Sequence, residues 1–489
     1  LGNQGVYVRL ASFGVSYNSG TGLFSAQVTV QNLLGQPIGT TDGTTPDPDG
    51  VRVFFAQGPT VTNGTGTVDV ANEDGTDAFT GSAQPFFRYP EVLSTEETSE
   101  AHPWQFTITG EVETFSFVVY VAAPVPDQQA LKQIDLDPRT LAVGGYHSCA
   151  LTTEGAAYCW GSDDDGQMGS AASDSVPVAV AGGLTFVALT AGRFHTCGIA
   201  TGGAAYCWGD DQTGQLGNGG DGDDSFSPVA VAGAMTWLAI DAGAGHTCGI
   251  TTARDLYCWG DGTAGQLGSG DSASTGLPVA VVGGRKWASV DAGTDHTCGV
   301  TRGGAAYCWG DATDGELGDG LGAPTARPSL VAAGHSWRWV SAGESFTCGI
   351  TSLRQAMCWG LDSSGQLGNG AAPSSGTPAV VSGGLSWSRI SAGRETACGI
   401  TTDGTAYCWG YNNTGEIGDG TTNPGDVPVA VAGGFTWAWV RNGDYHTCGL
   451  RNTGEARCWG YNQWGQLGNN STENSPNSVV VAGGHAWKP

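Results

Sequence analysis

Lysine is nearly missing from this chain, confined to Lys132, Lys286 and Lys488, and 19 basic residues stand against 46 acidic ones for a formal charge of −27. Such a surface repels phosphate backbones and anionic headgroups, which disfavours nucleic acid and membrane surfaces as partners. No run of 18 apolar residues occurs, so no bilayer-spanning helix is expected. A signal-peptide pattern is also lacking, and the chain opens on Leu1 rather than Met, which fits a processed or truncated start. Helical periodicity is absent throughout, which leaves strands and turns to carry the fold. A hydrophobic share of 39% with 17 tryptophans is nonetheless ample for a packed core, and this excludes a disordered acidic tail.

No cysteine stands alone. The fourteen pair off along the chain as Cys149 with Cys159, Cys197 with Cys207, Cys248 with Cys258, Cys298 with Cys308, Cys348 with Cys358, Cys398 with Cys408 and Cys448 with Cys458, nine residues apart in each case. Successive first cysteines lie 48, 51, 50, 50, 50 and 50 residues apart, the mark of one supersecondary unit copied in tandem.

Within a unit, Cys398 to Cys408 reads as two short strands around Thr402-Asp403-Gly404. A loop of this length needs one residue in the left-handed region, which glycine supplies without steric cost. Gly155, Gly203, Gly304, Gly404 and Gly454 occupy that position, with Arg254 and Arg354 the exceptions. An odd-numbered loop sets the two cysteines opposite each other, within disulfide reach. Seven disulfides are expected, each inside its own hairpin. Zinc ligation would need two close pairs converging from different segments, which this spacing does not provide. A disulfide in every repeat points to an oxidising, extracellular or cell-surface location.

Residues 1–124 contain no cysteine and no repeat. In Phe24 to Gln31 apolar and polar residues alternate strictly, the period of a half-buried strand. Val51 to Phe55, Thr67 to Ala71, Trp104 to Thr109 and Phe115 to Ala122 are further strand candidates, separated by turn-rich stretches such as Thr40 to Gly50. Several short strands of this kind predict an immunoglobulin-like β-sandwich. Residues 125–138 read as a linker that begins in the Pro-rich run Ala123 to Asp127.

From residue 139 to 489 each unit holds about four strands: Pro-Val-Ala-Val-Ala-Gly, a Val/Ile-x-Ala-Gly strand after a tryptophan, and the two arms of the cysteine hairpin. Four strands repeated seven times match the blades of an all-β propeller. Trp237, Trp287, Trp337, Trp387 and Trp437 each precede the next unit's Ala-Gly strand, yet Trp487 comes at the end of the chain, and the first unit has Pro138 in that slot. The strands around Val479 to Trp487 are therefore expected to complete the blade opened at Leu141.

The pattern Ala-Gly-x-x-His-Thr, Gly-x-x-Tyr-x-Trp-Gly and Gly-Gln-Leu-Gly resembles the repeat of the regulator of chromosome condensation family, and the resemblance implies a seven-bladed propeller. Cys-Trp-Gly stands in all seven copies. The long insertion that nuclear exchange factors of the family use on their GTPase has no counterpart, since no spacing exceeds 51 residues. The Trp-Arg-His stretch of the family's plant ultraviolet-B photoreceptor is replaced by Arg193-Phe194-His195 and Ala244-Gly245-His246. A shared fold does not settle function.

Candidate catalytic groups are few. His147, His195, His246, His296 and His446 share one repeat position and read as framework residues that bond backbone within their own blades. Glu316 and Glu416 stand where Gln is usual and read as variants of the same framework. No catalytic set emerges, so the chain reads as non-enzymatic.

Positions that vary between copies are free of packing duty, and binding is sought there. In the first three blades the variable loops collect Asp163, Asp164, Asp165, Asp210, Asp211 and Asp261, with Asp221, Asp223 and Asp224 beyond. Calcium is the cofactor such carboxylates raise, as do Asp42, Asp47 and Asp49, although neither segment has EF-hand spacing and solvated acidic loops explain them as well. In the last two blades the loops collect Tyr411, Asn412, Asn413, Tyr445, Tyr461, Asn462, Gln463 and Trp464. Trp464 stands out, because its counterparts are Asp165, Thr213, Ala264, Asp314, Ser364 and Thr414. Tyr and Trp beside amides suit a protein hot spot or stacking on a sugar. Trp464, Tyr461, Tyr411, Tyr445 and Gln463 are thus the candidate binding residues, with no catalytic or metal-ligating set. The expected role is a secreted or cell-surface module whose propeller binds protein or glycan and whose sandwich tethers or self-assembles; regulation of an extracellular enzyme is the alternative.

Overall fold

A computed structural model of the chain describes residues 8–32, 51–71, 73, 75–77, 84–89, 99, 101–122, 139–170, 173–220, 222–332, 334–370 and 373–489. These residues contain strands and turns but no helix. The chain divides into two compact units between Ile134 and Asp135.

The first unit contains β1 (Val8–Asn18), β2 (Leu23–Asn32), β3 (Val51–Val70), β4 (Gly75–Asp77), β5 (Gln84–Tyr89) and β6 (His102–Ala122) in one sheet of order β1-β2-β6-β3-β5-β4. The alternating segment lies in β2, where Ala26 and Val28 are buried. The expected strands Val51 to Phe55 and Thr67 to Ala71 merge into β3, and Trp104 to Thr109 and Phe115 to Ala122 merge into β6. These long strands pair from Arg52↔Ala122 to Val70↔Phe106, with register shifts between Phe55 and Gly64. Bulges of this kind carry a ladder through turn-like residues that would otherwise end it. Phe87, fully buried, stacks on Trp104 at 4.7 Å between ring centroids. The second layer of the expected sandwich is not among the described residues. Thr40 to Gly50, with Asp42, Asp47 and Asp49, lies outside them, as do the linker 125–138 and Asp221.

The second unit is a series of four-stranded antiparallel blades, seven such sheets among the described residues. The first holds β7 (Leu141–Val143), β8 (His147–Leu151), β9 (Ala157–Gly161) and β10 (Asp174–Ala179). Each cysteine faces its partner directly across the hairpin, the register an odd-numbered loop requires. All seven expected disulfides are present. Cys149 is bonded to Cys159, Cys197 to Cys207, Cys248 to Cys258, Cys298 to Cys308, Cys348 to Cys358, Cys398 to Cys408 and Cys448 to Cys458, at Cα separations of 4.0–4.1 Å. The hairpin glycines have positive φ, 86° at Gly155 and 87° at Gly404, and the two arginines at this position adopt the same conformation, 67° at Arg254 and 62° at Arg354.

Blade cores are built from pairs of indoles. Trp237, in the slot before the inner strand, lies 5.5 Å from Trp259, and Trp287 lies 5.5 Å from Trp309. In the first blade Trp487 fills this slot: it bridges Thr152 and lies 5.9 Å from Trp160. The expected return of the C-terminal strand is thus corrected in part. Ser475–Val480 pairs with Ala456–Gly460 and completes the last blade, because its register against Cys458 repeats that of the other outer strands. Only the end of the chain crosses over, where Trp487 and the Lys488 N–H, bonded to Leu151 O, join the first blade.

The inner-strand glycines show why the ring is tight. A Cβ at Gly144 would fall 2.5 Å from Gly192 O, one at Gly393 2.4 Å from Gly443 O, and one at Gly443 2.1 Å from Gly144 O. The series that starts at Gly144 thereby returns to it, and no larger residue fits at these positions.

Candidate functional site

The recurring residues stitch blade to blade. The Gln167 carbonyl accepts from Trp208 Nε1 at 3.0 Å and from Thr196 Oγ1 at 2.7 Å, both in the next blade. Glu316 does the same for Trp359 and Thr347, so the carbonyl matters here and the side chain is secondary. The Glu316 and Glu416 carboxylates accept the N–H groups of Asp314 and Thr414, as Gln215 Oε1 does for Thr213. Burial pushes the Glu316 carboxyl up to about 7.

The histidines depart from the expected bonding within one blade. His147 Nε2 meets Thr196 Oγ1 at 2.7 Å, His195 meets Thr247 at 2.8 Å, and the series ends where His446 meets Ser148 Oγ at 2.7 Å. The strand order makes this the shorter path, since each imidazole lies at the start of its strand beside the following blade. Each Thr hydroxyl donates to a Gln or Glu backbone carbonyl, so Nε2–H is the donor to it. Burial pushes His147, His195, His296 and His446 down to about 3, and His246 to about 4. Each imidazole is thus bonded to a hydroxyl of its own, and among the described residues no three of them are grouped to hold an ion.

A second polar series, missed in the sequence, lines the axis at the x of Val/Ile-x-Ala-Gly. Thr190 Oγ1, Asp241 Oδ2, Asp291 Oδ1, Ser341 Oγ and Ser391 Oγ each accept a backbone N–H of the following blade, at Ala242, Ala292, Ala342, Ala392 and Asn442. Arg139 enters among them, bonded to Asp241, 3.4 Å from Asp291 Oδ2 and 3.1 Å from Val290 O. Burial and the neighbouring Asp241 carboxylate push Asp291 up to about 8.

The variable loops lie together at the opposite end of the strands from the cysteine-hairpin turns, the Ser162 N–H bonding Tyr146 O and the Asp210 N–H bonding Phe194 O. Here the structure brings Tyr445 and Tyr461 within 6.0 Å of each other, Tyr146 within 5.6 Å of Tyr445, and Phe194 within 6.0 Å of Tyr146. The aromatic row spans the last, first and second blades. Tyr461 Oη donates to Gln463 Oε1 at 2.8 Å. Trp464 is 45% exposed. Its counterparts Thr213 and Ser364 reach Gly245 O and Glu395 Oε2 in the following blade, which places position 464 beside the loop of Tyr146. Tyr411 belongs to the preceding blade and has no ring partner in this cluster among the described residues.

Charges frame the row. Arg394 Nε pairs with Glu344 at 2.9 Å and lies over Tyr445 at 4.9 Å, while Arg193 lies over Phe194 at 5.7 Å. Arg193 also pairs with Asp444 at 3.3 Å, bridging the first blade because Gly145 there has no side chain in the way. Of the residues expected from the sequence, the structure brings Tyr445, Tyr461 and Gln463 together, and it adds Tyr146 and Phe194, which were not among them. The signal was the residue before each His, which is aromatic only in blades that adjoin once the ends meet.

Asn412 and Asn462, two of the amides in the variable loops, are fully buried and belong to the framework. Asn462 Oδ1 accepts the Leu467 N–H at 2.9 Å and its amide donates to Ser471 O and Glu473 O. Asp163 and Asp211 accept the equivalent N–H groups of Met168 and Leu216, so packing duty extends into the variable loops. Among the described residues no group of three or more His, Cys, Asp or Glu is placed to hold a metal ion.

A family model described as the RCC1-like domain matches residues 121–439, and one described as the regulator of chromosome condensation (RCC1) repeat matches residues 443–466. Among solved structures, Prp20p from Saccharomyces cerevisiae is 17% identical with a TM-score of 0.62, covering 72% of this chain and 89% of that one. Human WBSCR16 is 18% identical with a TM-score of 0.61, covering 67% of this chain and 94% of that one. Yeast RCC1 (Prp20) bound to Kap60 is 16% identical with a TM-score of 0.61, covering 70% and 86%. At these identities the likeness is one of fold. With the first model matching well over half of its length, the chain belongs to the RCC1-like domain family.

Proposed function

We propose that this protein is a secreted or cell-surface, non-enzymatic binding module, a closed seven-bladed propeller whose loop face takes a protein or glycan ligand at the seam between its last and first blades. The observation that carries the reading is the row Phe194, Tyr146, Tyr445 and Tyr461, extended by exposed Trp464. Such rings give large contact area with little entropy loss, and the flanking ion pairs supply polar orientation. Disulfides in every blade support an oxidising compartment. The related Prp20p has described binding to Gsp1p and histones, which supports a protein as the partner. In this reading residues 1–124 form an immunoglobulin-like sandwich that tethers or self-assembles, joined through residues 125–138 to the propeller of 139–489.

A glycan array and a panel of surface proteins, probed with the intact chain and with Trp464→Ala, test it. Ligand binding that is unchanged in the variant removes the assignment of Trp464.

A further inference from the structure

The two ends of the propeller differ in charge. At the loop end carboxylates recur from Asp164 in the first blade to Asp444 in the last, and Arg193 and Arg394 are each held in an ion pair. The hairpin end instead gathers arginines, among them Arg254, Arg302, Arg338, Arg354 and Arg389. Three of these line one cavity. Arg338, Arg354 and Arg389 surround a space of about 650 Å³ together with Thr402, Asn452 and Trp437. They converge because two begin inner strands while Arg354 occupies the adjoining hairpin turn, its carbonyl accepting the Trp387 N–H at 2.8 Å.

From this geometry we propose that the cavity is a binding site for an acidic polypeptide segment, on the end of the propeller opposite the aromatic row. The guanidinium of Arg389 lies 3.4 Å from the centre of the Trp439 ring, so it is held in place before any ligand arrives. Planar guanidiniums accept carboxylates two-pronged, and the apolar edges Ile400 and Ala438 take up side-chain methylenes. Asp403, between the lining residues Thr402 and Gly404 in the chain, accepts at Oδ1 from the Thr401 hydroxyl and from the Thr405 N–H at 3.1 Å. A net charge of −27 disfavours an acidic ligand on most of the surface, so local clusters of arginine such as this one are where it is expected to bind.

The test is fluorescence anisotropy of fluorescein-labelled octaglutamate with the full chain at low salt. Arg354→Gly keeps the positive φ that glycine supplies in five other hairpins, and Arg338→Gln keeps the side-chain length. Together they are expected to weaken binding about tenfold or more, whereas Arg254→Gly, the same turn position two blades away, leaves it within about twofold. Equal weakening by Arg254→Gly means diffuse charge attraction and overturns the proposal. So does failure of octaglutamate to bind, including the case in which dextran sulfate alone binds.

Discussion

Gln466 in the last blade and Trp160 in the first are joined by a hydrogen bond of 2.9 Å from the indole Nε1–H to the backbone carbonyl. The same bond links every earlier pair of neighbours, from Trp208 and Gln167 to Trp459 and Glu416. The seam therefore reproduces an ordinary blade interface, with Trp487 as its added clasp.

Trp487→Ala should open this seam. The side chain is 2% exposed and packs on Trp160 and Tyr158, so its loss is expected to cost about 3–5 kcal/mol, as for other large-to-small core changes. Denaturant unfolding, with hydrogen exchange at Leu151 and Thr152 to locate the effect, checks it.

Arg139 lies between two buried carboxyl groups at the axis, Asp241 and Asp291. Arg139→Met should destabilise by about 3–5 kcal/mol, because Asp241 and Asp291 are left uncompensated. The loss should be smaller at pH 5 than at pH 8, since Asp291, pushed up to about 8, is then protonated in the fold. Adding Asp291→Asn should recover part of the stability at pH 8.

Glu316→Gln should stabilise the protein at pH 8 by about 1–2 kcal/mol and change little at pH 4. Burial raises this carboxyl to about 7 from its ordinary 4.5, so ionisation is penalised in the fold. The cost is fully present above the folded value and vanishes below the unfolded one. Thermal melts across that window measure it.

The histidines have the opposite effect. Their folded values of about 3 to 4 lie below the ordinary 6.5, so unfolding takes up protons as pH falls beneath 6.5. The stability they contribute is complete above 6.5 and drains away toward pH 3, at about 1.4 kcal/mol per pH unit for each His. His446→Gln should reduce the slope of stability against pH between 4 and 6 by roughly one proton's worth.

The framework was legible because it repeats. The facing cysteines, the turn position shared by Gly404 and Arg354, and the indole slot filled by Trp487 all followed from comparing copies. The candidate site was legible in part. Tyr461 and Trp464 break the repeat and so attract notice, whereas Tyr146 joins Tyr445 only once ring closure brings residues 299 positions apart together. The axial series escaped because its members differ in residue type and act through one geometry, a side-chain oxygen facing the next N–H. In the first unit, residues 56–66 and 110–114 separate the expected strands in the sequence, yet β3 and β6 run through them with shifts of register.

Binding at the seam is tested most directly by comparing the intact protein with a Tyr146→Ala, Tyr445→Ala, Trp464→Ala variant on the same glycan and surface-protein panel. Thr294→Ala with Thr313→Ala, on the loop face away from the seam, serves as control. The triple variant should fold with all seven disulfides and lose the ligand, while the control retains it. A triple variant that binds as well as the intact protein would contradict a ligand site at the seam.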